Sequence, residues 1–336
     1  MNKVKIALVG VGGISQVVRI PSLIKNDDVE LVALCDIDES KVSMIAQKYK
    51  VPKAYFDIQN LIAKEKLDGI LICTPNNLHY PMALAALDAG INTLVEKPIA
   101  LSEVQVTNMV NKANDKKVHL VCGMHNRFRK DAEILREFLD KKEIGDPFYI
   151  KAGWLSKWEK TLHKGWNAEA KNSGGGVVMD LGLQLIDLAL WLLNKPKVIN
   201  VRSNFYTNNK NFKVEDSALI IIKTEANVLI TIETSWRMHL EKDLLYTHVF
   251  GTQGGAFLNP LRINKELHGN LVNVTPIHSN KNIDMFTNAF ESEINNFVKV
   301  IQNKEKPITP GEDGIYLMKI IDSIYKSAEL GKQVDL

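Results

Sequence analysis

The stretch VKIALVGVGGIS at residues 4–15 decides the fold. Residues 4–9 form an apolar run broken only by Lys5, which predicts a buried strand, and a helical pattern follows to about Ile24. Between them stands a G-x-G-x-x-G type turn with Ser15 in the last position. The first glycine permits a tight turn, and the second lets a pyrophosphate approach the main chain at a helix N-terminus. The turn therefore predicts dinucleotide binding; the alternative is a purely structural turn.

The second predicted strand, Glu30–Cys35, ends in an acidic residue, Asp36. A carboxylate at this place accepts hydrogen bonds from the adenosine ribose and repels a 2′-phosphate. No arginine follows closely. We therefore expect NAD rather than NADP as the cofactor. The alternative is a solvated acid before the next helix.

Strand and helix patterns alternate through the first part of the chain. Alternation of this kind predicts a parallel, doubly wound sheet. We therefore assign residues 1–124 to a Rossmann domain of the α/β class. Further helices are predicted at 39–48, 58–64 and 102–116 and in a segment that ends at 89, and further strands at 68–73, 91–95 and 118–123.

The strand at 91–95 runs into the turn Glu96-Lys97-Pro98. Proline lacks an N–H group, so it suits a turn rather than the middle of a sheet. In open α/β sheets, ligands bind at the carboxyl ends of the strands. This turn is therefore expected to aim Lys97 at a binding crevice. The alternative is a solvated Glu–Lys pair in a loop.

The remainder of the chain, residues 125–336, is predicted to be a second domain. Strand-like stretches run from 197 to 258, and helices are predicted at 130–141, 284–302 and 312–329. This order predicts an α+β domain with a mostly antiparallel open sheet covered by helices on one side. Thr231, Glu233 and Ser235 give one strand a half-polar face, from which we expect self-association into a homodimer or homotetramer.

The helix predicted at 178–193 is almost wholly apolar. Its polar residues Asp180, Gln184 and Asp187 have i, i+4 and i+7 spacing, so they share one narrow face. Polar groups on a buried helix are costly unless they are used or paired. We therefore predict that this polar stripe forms a wall of a polar cleft. The alternative is a buried helix whose acids cap main-chain groups.

The composition excludes several classes of protein. The net charge is +3 over 336 residues, and the lysines are interleaved with acids, which argues against a nucleic-acid-binding or membrane-binding surface. Cys35, Cys73 and Cys122 lie within or at the end of apolar runs without paired spacing. They indicate free thiols in a reducing compartment rather than disulfides or a metal site. Because no signal peptide is recognisable, we expect a cytoplasmic protein.

Four motifs, in order along the chain, carry a resemblance to a known family. They are Gly10-Val11-Gly12-Gly13-Ile14, Thr74-Pro75-Asn76-Asn77-Leu78-His79, Glu96-Lys97-Pro98, and Gly174-Gly175-Gly176 followed by Asp180-Leu181-Gly182. With these motifs the chain resembles the Gfo/Idh/MocA oxidoreductases over essentially its whole length. The resemblance implies an enzyme that transfers hydride to or from a nicotinamide dinucleotide.

The resemblance also implies roles for single residues. It puts Lys97 beside the reacting carbon, Asp180 against the substrate and Asn126 at the nicotinamide end. It implies a cis peptide bond before Pro98 as well. Together with Asp36, the expected cofactor-binding residues are Gly10, Gly12, Gly13, Ile14, Thr74, Asn76, His79, Glu96, Lys97 and Pro98, with Glu96 on the nicotinamide ribose.

The chain departs from the family pattern at Gln184, where many members carry a histidine that acts as acid or base. Glutamine does not titrate, so it can only orient a substrate by hydrogen bonds. Lys97 is then the best-placed carrier of the hydroxyl proton, because burial and the positive nicotinamide ring both disfavour its charged form. Asp180 would align the hydroxyl or the lysine.

The predicted reaction is reversible oxidation, by NAD, of a secondary alcohol on a sugar, nucleotide sugar or cyclic polyol. Trp154 and Trp166 offer flat faces to sugar C–H groups, and His163 offers a positive charge to an acidic substituent. Core or interface tryptophans and a solvated histidine are the alternatives. Two other functions stay open: a non-catalytic NAD-binding sugar sensor of the same fold, and a reductase of dihydrodiols, diketones or imines.

Overall fold

The computed structural model describes residues 3–158, 166–207, 213–277 and 285–336. These residues form two compact units. The first unit runs to His125 and takes in Phe286–Met318, and the second comprises the described parts of Asn126–Met285 and Lys319–Leu336. Each unit is built on a sheet of its own.

The first unit contains a six-stranded parallel sheet in the order β3-β2-β1-β4-β5-β6. The strand order reverses between β1 and β4, and at such a switch point the carboxyl ends of the strands leave a crevice for ligands. This arrangement confirms the predicted doubly wound sheet. The strands are β1 (Val4–Val9), β2 (Val29–Cys35), β3 (Lys53–Tyr55), β4 (Gly69–Ile72), β5 (Asn92–Glu96) and β6 (Leu120–Gly123).

Both units contain helices. A helix follows each of the first five strands, and two long helices lie near the end of the chain. A π-helical turn, Ser15–Arg19, continues into the first helix, and a second π-helical turn, Val178–Gly182, continues into the eighth. The helices are α1 (Ile20–Lys25), α2 (Glu39–Tyr49), α3 (Ile58–Lys64), α4 (Asn76–Asp88), α5 (Glu103–Lys116), α6 (Lys130–Asp140), α7 (Ala170–Ser173), α8 (Leu183–Leu192), α9 (Met285–Ile301) and α10 (Gly311–Leu330).

Both faces of the parallel sheet are covered, and the alternation of β1 divides its side chains between two core clusters. Ile6 and Leu8 belong to the cluster that also contains buried residues of α1, α2 and α9. Ala7 and Val9 belong to the cluster formed with α3 and α4. Residues 6–9 of β1 are therefore apolar on both faces, as in buried parallel strands.

The closing helix α9 belongs to the first unit, although the sequence analysis assigns it to the second. Its residues Ile294, Phe297 and Val298 are fully buried in the cluster on β1. A Cβ atom on Gly69, at the start of β4, would lie 2.7 Å from the side chain of Ile301, so the helix approaches the sheet closely there. Its helical periodicity predicts one buried face but does not say which sheet covers that face.

The second unit contains a nine-stranded sheet in the order β14-β13-β12-β11-β7-β10-β9-β8-β15. Strands β7 and β10 pair in parallel, and the other described pairs are antiparallel, as predicted. The strands are β7 (Pro147–Lys157), β8 (Val198–Tyr206), β9 (Ser217–Thr224), β10 (Leu229–Met238), β11 (Leu244–Gly251), β12 (Gly254–Leu258), β13 (Arg262–Leu267), β14 (Asn270–Asn273) and β15 (Val334–Asp335).

The core helix of the second unit is α8, every residue of which is buried. The stretch Ala170–Leu192 is long and apolar enough to cross a membrane by length and composition, but 94% of its most apolar window is buried inside the protein. In β9 buried residues alternate with exposed ones such as Leu219 and Ile221. One face of the sheet is therefore covered, and the opposite face is open.

We predict that Phe297→Ala lowers the free energy of unfolding by about 3–5 kcal/mol, because it empties a fully buried site between α9 and β1. Phe56→Ala is the matched control, since Phe56 lies in the same unit with 45% of its surface exposed. Denaturant midpoints measure both changes. Equal losses in the two variants would show that α9 does not contribute to this core.

Candidate active site

The glycine turn after β1 has the geometry that the sequence predicts. Gly10 has φ +91°, and a Cβ atom there would lie 2.5 Å from the carbonyl oxygen of Cys73, so glycine is required. At Gly12 and Gly13 a Cβ atom would meet no described atom within 4 Å, so the outer side of the turn is open. The buried Ser15 hydroxyl donates to the Gly10 carbonyl at 2.5 Å and thereby closes the turn. These features fit a dinucleotide pyrophosphate.

Asp36, at the end of β2, joins the edge of this turn. Its Oδ2 atom accepts a hydrogen bond from the main-chain N–H of Val11 at 2.8 Å. Lys41 Nζ lies 3.1 Å from the same oxygen, a cation that the sequence analysis did not consider. Asp36 therefore contacts the glycine turn, and Lys41 places a positive charge beside the carboxylate that is expected to repel a 2′-phosphate.

His79, in the segment after β4, contacts the main chain of two neighbouring loops. The ring nitrogens of His79 lie 2.7 Å from the carbonyl oxygen of Pro98 and 2.8 Å from that of Thr74. Burial lowers the pKa of His79 against the opposing effect of these hydrogen bonds. The neutral ring donates to one carbonyl at a time. Both nitrogens thus face main chain, so a contribution of His79 to cofactor binding would act through these loops.

Two further residues of this segment remain candidates for cofactor contact. Asn76 is buried at the first position of α4. The Thr74 hydroxyl oxygen is buried and has no hydrogen-bond partner among the residues that the structure describes. A buried hydroxyl without a partner is costly, so it fits a ligand group that would complete its hydrogen bonding.

The Glu96-Lys97-Pro98 turn follows β5 directly, and its Lys97–Pro98 bond is cis. Lys97 is half-buried. Glu96 is almost completely buried, with one carboxylate oxygen 2.5 Å from Arg19 Nε and the other accepting from the N–H of Lys97 at 3.2 Å. The turn is therefore anchored from inside the unit.

Arg19 and Glu293 complete this anchor and were missed from the sequence. Arg19 Nη1 donates to Glu293 Oε2 at 2.5 Å, and both side chains are fully buried. Burial and the neighbouring Glu96 raise the pKa of Glu293 to about 7, although Arg19 opposes this shift. Only one feature of the sequence could have indicated a buried charge here: Arg19 stands between the apolar residues Val18 and Ile20 in a helical segment.

In the second unit, Asp180, Gln184 and Asn126 come together. Gln184 donates from Nε2 to the Asp180 carbonyl at 3.0 Å and accepts from Asn126 Nδ2 at 3.4 Å. Asp180 Oδ2 accepts from the indole N–H of Trp236 at 3.0 Å, a partner that the sequence analysis missed. The side-chain oxygen Oδ1 of Asn126 is buried without a hydrogen-bond partner in the described part of the chain, so it can accept a hydrogen bond from a ligand N–H or O–H group.

The third residue of the predicted polar stripe has a different use. Asp187 forms a buried two-point ion pair with Arg127, at 2.9 Å to Nε and 2.6 Å to Nη2. Both of its carboxylate oxygens are engaged by one guanidinium. The cleft wall remains a prediction for Asp180 and Gln184, whereas Asp187 is engaged in an ion pair within the second unit.

The glycine segment before Asp180 is shaped by Glu215 and Tyr325, which the sequence analysis also missed. The buried Glu215 carboxylate accepts from the N–H groups of Gly176 at 2.9 Å and Val178 at 3.0 Å, and from the Tyr325 hydroxyl at 2.7 Å. A Cβ atom on Gly175 would lie 1.8 Å from that hydroxyl. The glycines are thus required by this packing, which fixes the start of the helix that carries Asp180.

The predicted substrate-binding aromatic residues are spread through the second unit. Trp154 is half-buried and lies opposite Thr234 in the β7–β10 pair. Trp166 is 43% exposed. His163 lies outside the described residues. These three remain predictions for substrate contact.

Comparison with known proteins agrees with both units. The family model described as "Oxidoreductase family, NAD-binding Rossmann fold" matches residues 4–124, and the "GFO/IDH/MocA C-terminal domain" matches residues 132–257. The chain is 26% identical to D-glucoside 3-dehydrogenase of Escherichia coli K12, over 100% of this chain and 98% of that one. It is 23% identical to myo-inositol 2-dehydrogenase of Thermotoga maritima, over 99% and 98%.

A solved structure has the same fold over the whole chain. The WlbA dehydrogenase of Chromobacterium violaceum, in complex with NADH and UDP-GlcNAcA, has a TM-score of 0.86 at 22% identity and covers 100% of this chain and 96% of its own. The two family models together match most of the chain. The chain therefore belongs to the Gfo/Idh/MocA family of NAD(P)-dependent oxidoreductases.

Proposed function

We propose that the protein is a dehydrogenase that transfers hydride reversibly between NAD and a secondary alcohol or ketone of a sugar, nucleotide sugar or cyclic polyol. The observation that carries the proposal is the buried anchoring of the Glu96-Lys97-Pro98 turn at the carboxyl end of β5. That end lies in the same unit as the glycine turn, on the sheet edge where such folds bind ligands. The activities of the named relatives, on a glucoside and on inositol, support this substrate class.

The cofactor would be held by the glycine turn, Asp36, and the Thr74 and Glu96 segments. The bound nicotinamide supplies the hydride acceptor or donor. The turn offers open main chain to the pyrophosphate, and the Asp36 carboxylate offers an acceptor to the adenosine ribose. The buried Thr74 hydroxyl, which has no hydrogen-bond partner among the described residues, offers a further hydrogen-bond donor to the cofactor. Because some family members use NADP, the preference for NAD is part of the proposal.

We assign proton transfer to Lys97 and substrate orientation to Asp180 and Gln184. A hydroxyl must lose its proton as its carbon loses hydride, and the lysine amine is a base of suitable type. Gln184 is fixed by its own hydrogen bonds to Asp180 and Asn126, so it serves as a preorganised hydrogen-bonding group rather than as a base. Asn126 contributes its side-chain oxygen Oδ1 as a hydrogen-bond acceptor.

The absence of a histidine at position 184 favours one alternative, an NAD-binding sugar sensor without turnover. Incubation of the pure protein with NAD and a panel of sugars, nucleotide sugars and inositols separates the two functions. Appearance of NADH supports the dehydrogenase. Ligand-dependent NAD binding without NADH formation supports the sensor, and reduction of a dihydrodiol-derived, diketone or imine substrate would indicate a different substrate class.

We also propose that the open face of the nine-stranded sheet mediates assembly into a homodimer or homotetramer. Leu219, Ile221, Leu229 and Leu244 are each between 37% and 41% exposed, although they lie on central strands. The Lys151–Glu233 pair, at 3.1 Å, adds charge of both signs to neighbouring strands. A cytoplasmic location remains a prediction from cysteine usage.

Lys97→Met is expected to lower kcat by about 10²–10⁴-fold, the usual contribution of a general base, while the affinity for NADH stays nearly unchanged. Stopped-flow turnover and NADH fluorescence titration measure the two quantities. Lys116→Met, which removes a surface lysine from α5, is the control and should match the wild type. Near-normal turnover of Lys97→Met would remove Lys97 as the proton carrier.

Asp36→Asn is expected to shift the kcat/KM ratio several-fold toward NADP, because the amide keeps an acceptor for Val11 but loses the negative charge. Lys41→Met should shift the same ratio toward NAD, since it removes the cation beside that carboxylate. Both ratios come from initial rates with the two cofactors. Shifts in the same direction for both variants would contradict the assigned role of Asp36.

Ile221→Glu is expected to reduce the molar mass in solution to that of a smaller assembly, because it puts a charge at the centre of the open face. Light scattering coupled to gel filtration measures it. Val104→Glu, an equal change at a 69% exposed position of α5, should leave the mass unchanged. A monomeric wild type would end this part of the proposal.

A further inference from the structure

Three charged side chains are buried together in the first unit. The Arg19 guanidinium meets Glu96 on one side and Glu293 on the other, both at 2.5 Å. It also lies 4.7 Å over the ring of Phe290, which stacks on His125 at 4.2 Å. With both carboxylates ionised, this cluster carries a net charge of −1 inside the protein.

Stability alone does not account for such a cluster. Removing charges from water costs several kcal/mol each, and apolar side chains of similar volume often give equal or greater stability. The two helical segments that carry Arg19 and Glu293 are joined independently by Lys25 and Glu291, at 2.8 Å near the surface. They also share the apolar core on β1. The buried charges therefore call for a role beyond holding these segments together.

The geometry leads from Arg19 to Lys97. One oxygen of Glu96 faces Arg19, and the other accepts from the main-chain N–H of Lys97. Gly123 is the β6 residue that pairs with Glu96. A Cβ atom on Gly123 would lie 3.1 Å from Arg19 Nη2 and 3.2 Å from Glu96 Cα, so a side chain there would crowd both residues. The neighbouring strand thus leaves room for the guanidinium beneath the turn.

We propose that Arg19 is a positioning residue for Lys97. Its guanidinium is held by Glu293 and in turn holds the Glu96 carboxylate. That carboxylate accepts from the N–H of Lys97 and so fixes the main chain of Lys97. The forked guanidinium is suited to this task, because it presents donors to two carboxylates at fixed angles. This inference rests on the proposed role of Lys97 in proton transfer.

The charge of Glu293 makes the clamp dependent on pH. The charged and titratable groups around it are Arg19 after the glycine turn, Glu96 at the end of β5 and the Cys73 thiol after β4. Burial and Glu96 raise the pKa of Glu293 from 4.5 to about 7. Below that pH the protonated Glu293 holds Arg19 weakly, and above it the carboxylate holds Arg19 strongly. Glu293→Gln imitates the protonated form at every pH.

The first experiment compares Glu293→Gln with Glu291→Gln, the same change two residues away on α9. The wild type and Glu293→Gln should have similar kcat well below pH 7, and the wild type should become faster as the pH rises through about 7. Glu291→Gln should follow the wild type throughout. A kcat ratio between wild type and Glu293→Gln that does not change with pH would overturn the proposal.

Unfolding of the cofactor-free protein gives a readout in the opposite direction. Because the folded-state pKa of Glu293 lies above its unfolded value, its protonation stabilises the fold at low pH, and this stabilisation is lost between pH 4.5 and about 7. Relative to Glu293→Gln, the wild type should therefore lose stability as the pH rises from 4.5 to about 7, whereas its kcat should increase as the pH rises through about 7. A purely structural role would move stability and kcat together.

The second experiment uses Arg19→Lys, because Arg19→Met would leave two buried carboxylates uncompensated and could prevent folding. Lysine keeps the charge but lacks the fork, so kcat should fall by about tenfold or more, with NADH affinity little changed. A crystal structure of this variant should show the Glu96 carboxylate and the Lys97 main chain displaced while α9 stays in place.

The outcomes separate this inference from the proposed function. An undisplaced Glu96 and Lys97 in Arg19→Lys would overturn the inference whatever the activity. Normal turnover of Lys97→Met would overturn the role of Lys97, and with it the functional part of the inference. Inactive Lys97→Met together with pH-independent effects of Glu293→Gln would leave the dehydrogenase standing and remove Arg19 as a positioning residue.

Discussion

A fully buried arginine must be met by negative charge, and in this protein that requirement links three distant parts of the chain. Arg19, Glu96 and Glu293 come from the first helical turn, the fifth strand and a closing helix. None of the three can be moved without leaving a charge buried and unpaired, at a cost of several kcal/mol. The positions of the glycine turn, of the Glu96-Lys97-Pro98 turn and of α9 are consequently fixed with respect to one another.

In the second unit, too, a buried carboxylate holds the main chain next to a candidate site residue, but here without an arginine. A single buried carboxylate, that of Glu215, receives two main-chain N–H groups of the glycine segment and the hydroxyl of Tyr325. Burial raises the pKa of Glu215. In each unit, a residue to which the proposed function assigns a role, Lys97 in the first and Asp180 in the second, thus lies next to main chain that hydrogen-bonds to a buried carboxylate.

The fold could be predicted from the sequence because its signals are local. The strand, the glycine turn and the helix at residues 4–25 are contiguous, and apolar runs of four or more residues mark most strands of the first sheet. The three-residue strand β3 was missed, since it is too short to show a period. The placement of α9 was missed because a helical period identifies a buried face but not the sheet that covers it.

Residues of the candidate site could be predicted only where a local motif or spacing marks them. Lys97 was predicted from a strand end and Asp180 from helical spacing, and a motif contains each of them. Arg19, Glu215, Trp236 and Glu293 were not predicted, because their partners lie between 37 and 274 residues away in the sequence. Asp187 shows the reverse case. Its helical spacing correctly predicts that it lies on the polar face. That spacing cannot predict the ion pair in which Arg127 hydrogen-bonds to both carboxylate oxygens.

The return of residues 286–318 to the first unit has a consequence for how the protein is made. A chain emerging from the ribosome completes the six strands of the first sheet by Gly123, yet α9, which completes the cover of β1, is synthesised only after strands β7 to β14 of the second sheet. Domains generally fold as units during synthesis, the N-terminal one first. Until then only α1 and α2 pack on Ile6 and Leu8, so the nascent chain passes through a stage in which part of an apolar face is open to chaperones or to aggregation.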